Sequence, residues 1–408
     1  MGQVKVGGEQ FETHIEADHR GQILQSGPDS GSIDAFGRQR FSEPFTLFDS
    51  MLCLSKRTEL WNETTVASGS TNYLVNESSL ELKTTTASGD TVLRRTKKRF
   101  PYQPGKSLMV MQSFVGNAPT AGLVQEVGYF DNNNGIMLRV DGADVQFVIR
   151  SSTTGSVQEE VVNKAQWNID GFPELDISKA QIFVADMEWL GVGRVRCGFV
   201  IDGEIKYCHE FNHANNISKV YMKTAVLPLS YRIHNSSSIA SPATLKQVCS
   251  SIISEGGYNP AGPIYTAGPA LGSVGNVSSE TLVVAIRMAS GATDNLILPS
   301  QVDGGIEGNT IGKWRIRRGV TISGASWQAA DNGRGNVEYT TAGTITVSGV
   351  TEFSSLIGGR SSSSFAAEEA IQLSLGTDAN GASEVLALTI EATTATKGTA
   401  LLGWRELV

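Results

Sequence analysis

The sequence predicts an all-β protein: two β-sandwich or jelly-roll-like domains behind an extended N-terminal arm. Three observations carry that prediction. Apolar and polar residues alternate over short runs, the period that sends every second side chain to one face of a strand. The runs recur at intervals of about 8–12 residues with Gly, Asn, Asp or Ser between them, which is the rhythm of sandwich strands and their turns. The 44 glycines, set against a charged fraction of 18%, suit turn-rich β structure better than helix bundles.

At 408 residues the chain exceeds what one hydrophobic core usually serves. Residues 1–40 are polar, Gly-rich and weakly periodic. Such a stretch buries too little apolar surface to fold by itself, and it reads as a docking arm or a flexible tail. From Phe36 an aromatic cluster follows, with Phe36, Phe41, Phe45 and Phe48 as candidate assembly residues, and Pro44 forbids a continuous helix through it. A sandwich of jelly-roll or lectin-like type is expected over 41–257. Its strand candidates include 72–83, 91–95, 107–115 and the two hairpins within 127–150.

The run Arg94, Arg95, Lys97, Lys98, Arg99 is the most basic local segment. It reads as a solvated strand edge that discourages edge pairing, with an anion-binding or subunit-docking patch as the alternative.

The clearest unit spans Asp186 to Asn215. Val195, Phe199 and Ile201 lead into Asp202-Gly203, and Ile205, Tyr207 and Phe211 lead out. An Asp-Gly pair between alternating runs predicts a hairpin, because the turn needs positive φ at both positions. The domain closes with 243–257, read as a strand in preference to a short helix starting at Ser241-Pro242. Residues 258–276 hold three of the twelve prolines and several glycines, a linker composition. Seven or so strand candidates then make a second sandwich over 277–408.

Composition also bounds function. A formal charge of −8 argues against general nucleic-acid binding, which depends on neutralising phosphates. Neither a signal-like apolar region nor a run of the ~18 apolar residues of a membrane span is present, so no membrane insertion is expected. The four cysteines lack CxxC spacing and read as free thiols. With no P-loop, no GxSxG and no GxGxxG between strand and helix, no cofactor is expected.

Three constellations carry candidate chemistry. His209-Glu210-Phe211-Asn212-His213 spells the letters of a zinc-protease motif, but it follows a strand, where the helix that aligns both imidazoles is not expected. Asp186 and Glu188 alternate onto one sheet face and could flank a glycosidic bond, or they pair across strands with Arg194 and Arg196. Trp61 and Trp167 sit near turns and are candidate glycan contacts, whereas Trp314 and Trp404 lie in alternating runs and read as buried. No residue is assigned a catalytic or metal-binding role.

The phrases FGRQRFSEPFTLFDS, YQPGKS, VGYFDNNNGI, WNIDGF, LDISKAQIFVADMEWLGVGRVRCGFVIDG, FNHAN and CSSIISEGG occur in that order within 36–257. In combination they resemble a family of bacteriophage virion structural proteins from phages of aquatic bacteria. The resemblance implies a non-enzymatic, tail-associated or capsid-attached, fibre-like component of the virion, partnered with other virion proteins. The physical reading adds a symmetric homo-oligomer, a trimer first, docked through residues 1–40. The alternatives are an adhesin that binds a host-surface glycan and a glycan-cleaving enzyme on a sandwich fold.

Overall fold

The computed structural model describes strands Gln3–Val6, Thr13–Ala17 and Ile23–Leu24, and residues 43–407 apart from 261, 293–294, 348, 359–360, 365–366 and 379–380. Two compact units divide between Glu43 and Pro44. In the first, the three strands form an antiparallel sheet with Val4 opposite Ile15. Residues 1–40 therefore carry strand pairing of their own, which their weak periodicity did not predict. Phe36 and Phe41 lie outside the described residues.

The second unit contains two pairs of antiparallel sheets, the all-β sandwich architecture that alternation predicts. In the first pair, an eight-stranded sheet runs Glu204–Phe211, Val195–Ile201, Ala180–Met187, Leu108–Val115, Ala243–Ser254, Ser79–Thr84, Ser70–Leu74, with Phe45–Met51 also paired to Ala243–Ser254. Facing it, a seven-stranded sheet runs Gln158–Asn163, Asp144–Ser151, Gly135–Asp141, Leu123–Phe130, Leu229–Asn235, Thr91–Thr96, Trp61–Val66. Alternate residues of both meet in one core, among them Val110, Phe114, Tyr129, Leu138, Phe147, Phe183, Phe199, Tyr231 and Leu245. The closing run is a strand, as read, paired on both sides.

The hairpin forms as predicted, with Asp202 at φ 53° and Gly203 at φ 83°. One detail was not legible. The register slips between Cys197 and Gly198, so that Cys208 is an extra residue opposite them. A side chain at Gly198 would meet the Lys206 carbonyl at 2.1 Å, so this close approach requires glycine. The bulge lets Cys208 bury beside Cys197, and burial pushes both thiols up.

In the second pair, a four-stranded sheet (Ile264–Ala267, Gly398–Leu407, Leu296–Ile306, Ser361–Ser364) faces a six-stranded one (Gln328–Ala329, Val337–Thr340, Thr281–Met288, Leu386–Ala392, Gly312–Arg318, Val350–Ile357). Trp314 and Trp404 are 1% and 0% exposed in this core, as their runs predict. The stretch read as linker is corrected in part. Ile264–Ala267 is a strand hydrogen-bonded to Gly398–Leu407, because Ile264-Tyr265-Thr266 keeps β propensity between the prolines.

The sandwiches dock on one another. Leu296, Leu298, Ala370 and Ile371 join the first sandwich's buried cluster. Thr377 N donates to Lys97 O at 2.9 Å, Asn62 Nδ2 donates to Thr377 O at 3.1 Å, and Lys98 Nζ donates to Ile371 O at 3.1 Å. The basic run is thus not a solvated edge. It is the corner on which the second sandwich sits. Among the described residues no helix is long and apolar enough to cross a membrane.

Candidate functional site

Trp61, Trp167, Phe45 and Phe48, singled out from sequence, pack in or against the core. Trp61 is 2% exposed, donates from Nε1 to Ser50 Oγ at 3.0 Å, and carries the Arg94 guanidinium 5.2 Å above its ring. Trp167 is buried and stacks on Phe147 at 4.4 Å and 15°. Neither offers a free ring face to a sugar, so both expectations of glycan contact are corrected. Their turns bend inward because a large aromatic gains most when fully covered. Phe48 packs between Trp61 and Phe100, and Phe45 stacks on Tyr258 at 5.5 Å, which ties both to their own sandwich rather than to a docking surface.

Asp186 and Glu188 do not converge. Asp186 is buried on the outer face of the eight-stranded sheet, directly opposite Arg196. Its Oδ1 accepts from Ser107 Oγ at 2.5 Å; its Oδ2 accepts from Tyr207 OH at 3.1 Å and from Arg196. Arg196 lies 4.1 Å over the Tyr207 ring. Burial and the Asp186 charge push the Tyr207 hydroxyl up to about 12. Glu188 is exposed, and its Oε1 accepts from Arg194 N at 3.1 Å within its own turn. The second carboxylate near Asp186 is instead Glu255, half-buried, whose N–H donates to Ser107 O at 2.9 Å. Burial first, and the Asp186 charge second, raise the Glu255 carboxyl above its usual range. No sequence spacing links residues 186 and 255; the pairing of Leu108–Val115 with both neighbouring strands brings them together.

His209 lies within Glu204–Phe211 and His213 just beyond it, so the helix of a zinc-protease motif is not formed. Burial lowers the His209 pKa. His213 has a different setting. It is 4% exposed and stacks on Tyr221 with ring centres 4.2 Å apart and planes 9° apart. Its Nδ1 lies 2.6 Å from Gly193 O. A carbonyl only accepts, so Nδ1 carries the proton and Nε2 of the neutral ring is an acceptor. That Nε2 is buried without a partner among the described residues.

His213 lines a cavity of about 440 Å³ between the edge strand Gln158–Asn163 and the loop that follows the hairpin. Gln158, Glu159, Asn216, Lys219 and Tyr221 also line it. Amide, carboxylate, ammonium and imidazole groups around one concavity can serve both donors and acceptors of a polyhydroxylated ligand.

Behind this cavity, the outer face of the seven-stranded sheet holds an ionic network. Glu126, 1% exposed, accepts from Arg139 Nε at 3.0 Å, Arg150 Nη2 at 3.2 Å and Arg232 Nη1 at 3.0 Å. Glu159 accepts a two-point contact from Arg139 at 2.7 and 2.8 Å and another from Arg150 Nε at 2.8 Å. Burial alone would raise Glu126, but Arg150, Arg232 and Arg139 outweigh it and hold the carboxyl low. These residues were missed from sequence. Strand parity could have found them, since all five strands that carry them alternate them against residues of the inner face.

No family model matches the chain, and no curated protein matches it. Solved structures it resembles include a glycosyl hydrolase family 16 protein from Bacteroides ovatus bound to a product, at 11% identity and TM-score 0.36 over 50% of this chain and 99% of that one. Another is a family 16 protein from Mycobacterium smegmatis, at 10% identity and TM-score 0.36 over 51% and 100%. A third is the CBM2 module of the evolved Dit of Lactobacillus casei BL23 phage J-1, at 11% identity and TM-score 0.36 over 54% and 100%. At such identities the likeness concerns the fold alone. The expectation of a non-enzymatic chain is withdrawn, since several of these structures are named glycosyl hydrolases; at TM-scores below 0.5 none of them assigns this chain an activity.

Proposed function

We propose that this chain is a bacteriophage virion protein whose first sandwich engages a host-surface glycan in the cavity beside His213. The observation that carries the glycan part is the cavity of about 440 Å³ lined by His213, whose buried Nε2 has no partner among the described residues. A sugar hydroxyl supplies the missing donor, and a buried polar group that gains a partner on binding favours the complex. The ordered phrases within 36–257 support the virion part. On this reading the protein sits on the tail or capsid among other virion proteins, as a trimer or another ring matched to the particle's symmetry.

The test is direct binding of the purified protein to surface polysaccharides of its host. His213→Ala is expected to weaken binding about tenfold, the equivalent of one ordinary hydrogen bond. Absence of wild-type binding to every host polysaccharide overturns the glycan part. Absence of the protein from purified particles overturns the virion part.

A second reading, glycan cleavage, is favoured by Glu255 lying beside Asp186, a pair of carboxyls in which burial first and the Asp186 charge second raise Glu255 in the direction a general acid needs. The same assay decides it: release of new reducing ends that Glu255→Gln abolishes while binding persists.

A further inference from the structure

The strand Thr91–Thr96 turns adjacent arginines to opposite sides of its sheet. Arg94 enters the sandwich. Arg95 points to the outer face, where the second sandwich lies, and is 7% exposed. Its Nε donates to Ser230 Oγ at 3.1 Å and its Nη2 to Asn132 Oδ1 at 3.2 Å. Both partners are neutral. Among the described residues no carboxylate lies within ion-pairing distance of it.

The charges facing Arg95 do not compensate it. Asp131 attracts it, while Arg99, Arg150 and Arg232 repel it. Asp131 is itself engaged: Oδ2 accepts from Arg99 Nη1 at 2.9 Å, and Oδ1 accepts from the N–H groups of Asn133 and Asn134 at 2.8 Å each. Burial, with the neighbouring arginines, pushes the Arg95 guanidinium down to about 10. Taking a cation out of water without a counter-charge is unfavourable, and buried arginines normally sit against a carboxylate or phosphate.

Arg95 lines a cavity of about 370 Å³ whose walls come from both sandwiches. Arg99, Asp131 and Asn132 contribute from the first, Asp131 with its carboxylate held by Arg99 and two backbone N–H groups, and Ser290, Thr377 and Asp378 from the second. Asp378 Oδ1 accepts from Ala382 N at 2.8 Å. We propose that this cavity binds a small oxyanion of the carboxylate, phosphate or sulfate class, which completes the missing ion pair of Arg95 and braces the two sandwiches against each other. The planar guanidinium presents paired N–H groups that match two oxygens of such an ion. The site is separate from the His213 cavity, and the inference does not rest on the glycan reading.

The experiment is titration calorimetry and thermal unfolding of the full chain at fixed ionic strength, with inorganic phosphate, sulfate, glucuronate and chloride in parallel. A saturable rise in the unfolding midpoint with at least one oxyanion, absent with chloride, is expected, together with at least a tenfold loss of affinity in Arg95→Gln. A response to phosphate or sulfate alone assigns a free inorganic ion, and a stronger response to glucuronate assigns an acidic saccharide. Equal behaviour in all four salts overturns the proposal, as does an undiminished response in Arg95→Gln. Should Arg95→Gln fail to fold, Asn132→Asp decides: a carboxylate placed beside Arg95 should raise the midpoint and abolish the oxyanion response, and an unchanged response overturns the proposal.

Discussion

Arg94 and Arg95, on opposite faces of the seven-stranded sheet, are buried in opposite ways. On the inner face, Arg94 has a fully buried side chain, yet every part of it is matched: Nη1 pairs with Glu63, Nε donates to Gln247 Oε1 at 2.5 Å, and Nη2 donates to Lys56 O. On the outer face, Arg139, Arg150 and Arg232 are matched by Glu126 and Glu159, while Arg95 has only neutral partners. Burial is common to both arginines, so burial does not mark a site. What separates them is whether the counter-charge belongs to the chain. A closed ion pair is structure, and an open one is a place for a ligand.

The largest effect expected from breaking this contrast is at Glu126. Glu126→Ala leaves Arg139, Arg150 and Arg232 facing one another with Glu159 as their remaining carboxylate. Removing one partner of a buried ionic group costs up to about 3–5 kcal/mol, because Arg139 and Arg150 keep only Glu159 and the partly exposed Arg232 loses its carboxylate. Denaturant unfolding should show the loss as a lower midpoint with an unchanged slope. A cost under about 1 kcal/mol would mean that water reaches the network and that the outer face is not closed.

The next comparison sets the neighbours against each other. Arg94→Met strands Glu63, whose side chain is 16% exposed and keeps Lys56 at 3.2 Å, and should cost about 2–3 kcal/mol. Arg95→Met removes a cation that has no carboxylate partner, so without added oxyanion its cost should stay within about 1 kcal/mol. Both variants carry the same hydrophobic replacement. Equal losses in unfolding experiments would erase the distinction between the two arginines.

The sandwiches themselves were legible because alternation, Asp202-Gly203 and the Gly-rich turns are local signals. Trp314 and Trp404 were placed correctly for the same reason. Trp61 and Trp167 were not, since proximity to a turn says where the backbone bends and nothing about which side chain it folds over. The basic run misled in a similar way. Parity along Thr91–Thr96 separates Arg94 from Arg95, but whether the outer face meets water or a second sandwich depends on contacts such as Thr377 to Lys97, which join residues far apart in the chain. Glu255 beside Asp186 and His213 on Tyr221 likewise arise from pairing and loop packing. No motif spacing encodes them.

The smallest expected effect is a pH dependence at the rim of the outer network. Hydrogen bonds from Arg139 first, then its charge and that of Arg150, draw the Glu159 carboxyl down to about 2. Its value in the unfolded chain is near the ordinary glutamate value of about 4.3. The folded carboxyl therefore binds its proton less readily than the unfolded one, and its contribution to stability is fully present above pH ~4.3. That contribution declines as pH falls and is gone below about 2. Glu159 is partly open to solvent, so screening makes the loss smaller than at Glu126. Glu159→Gln should consequently bring the variant and the parent closer together between pH 4.3 and 2, as the parent loses what the variant never had. A stability difference that stays constant across that window would show that the Glu159 pairs contribute nothing, and would leave Glu126 as the sole carboxylate closing the outer face.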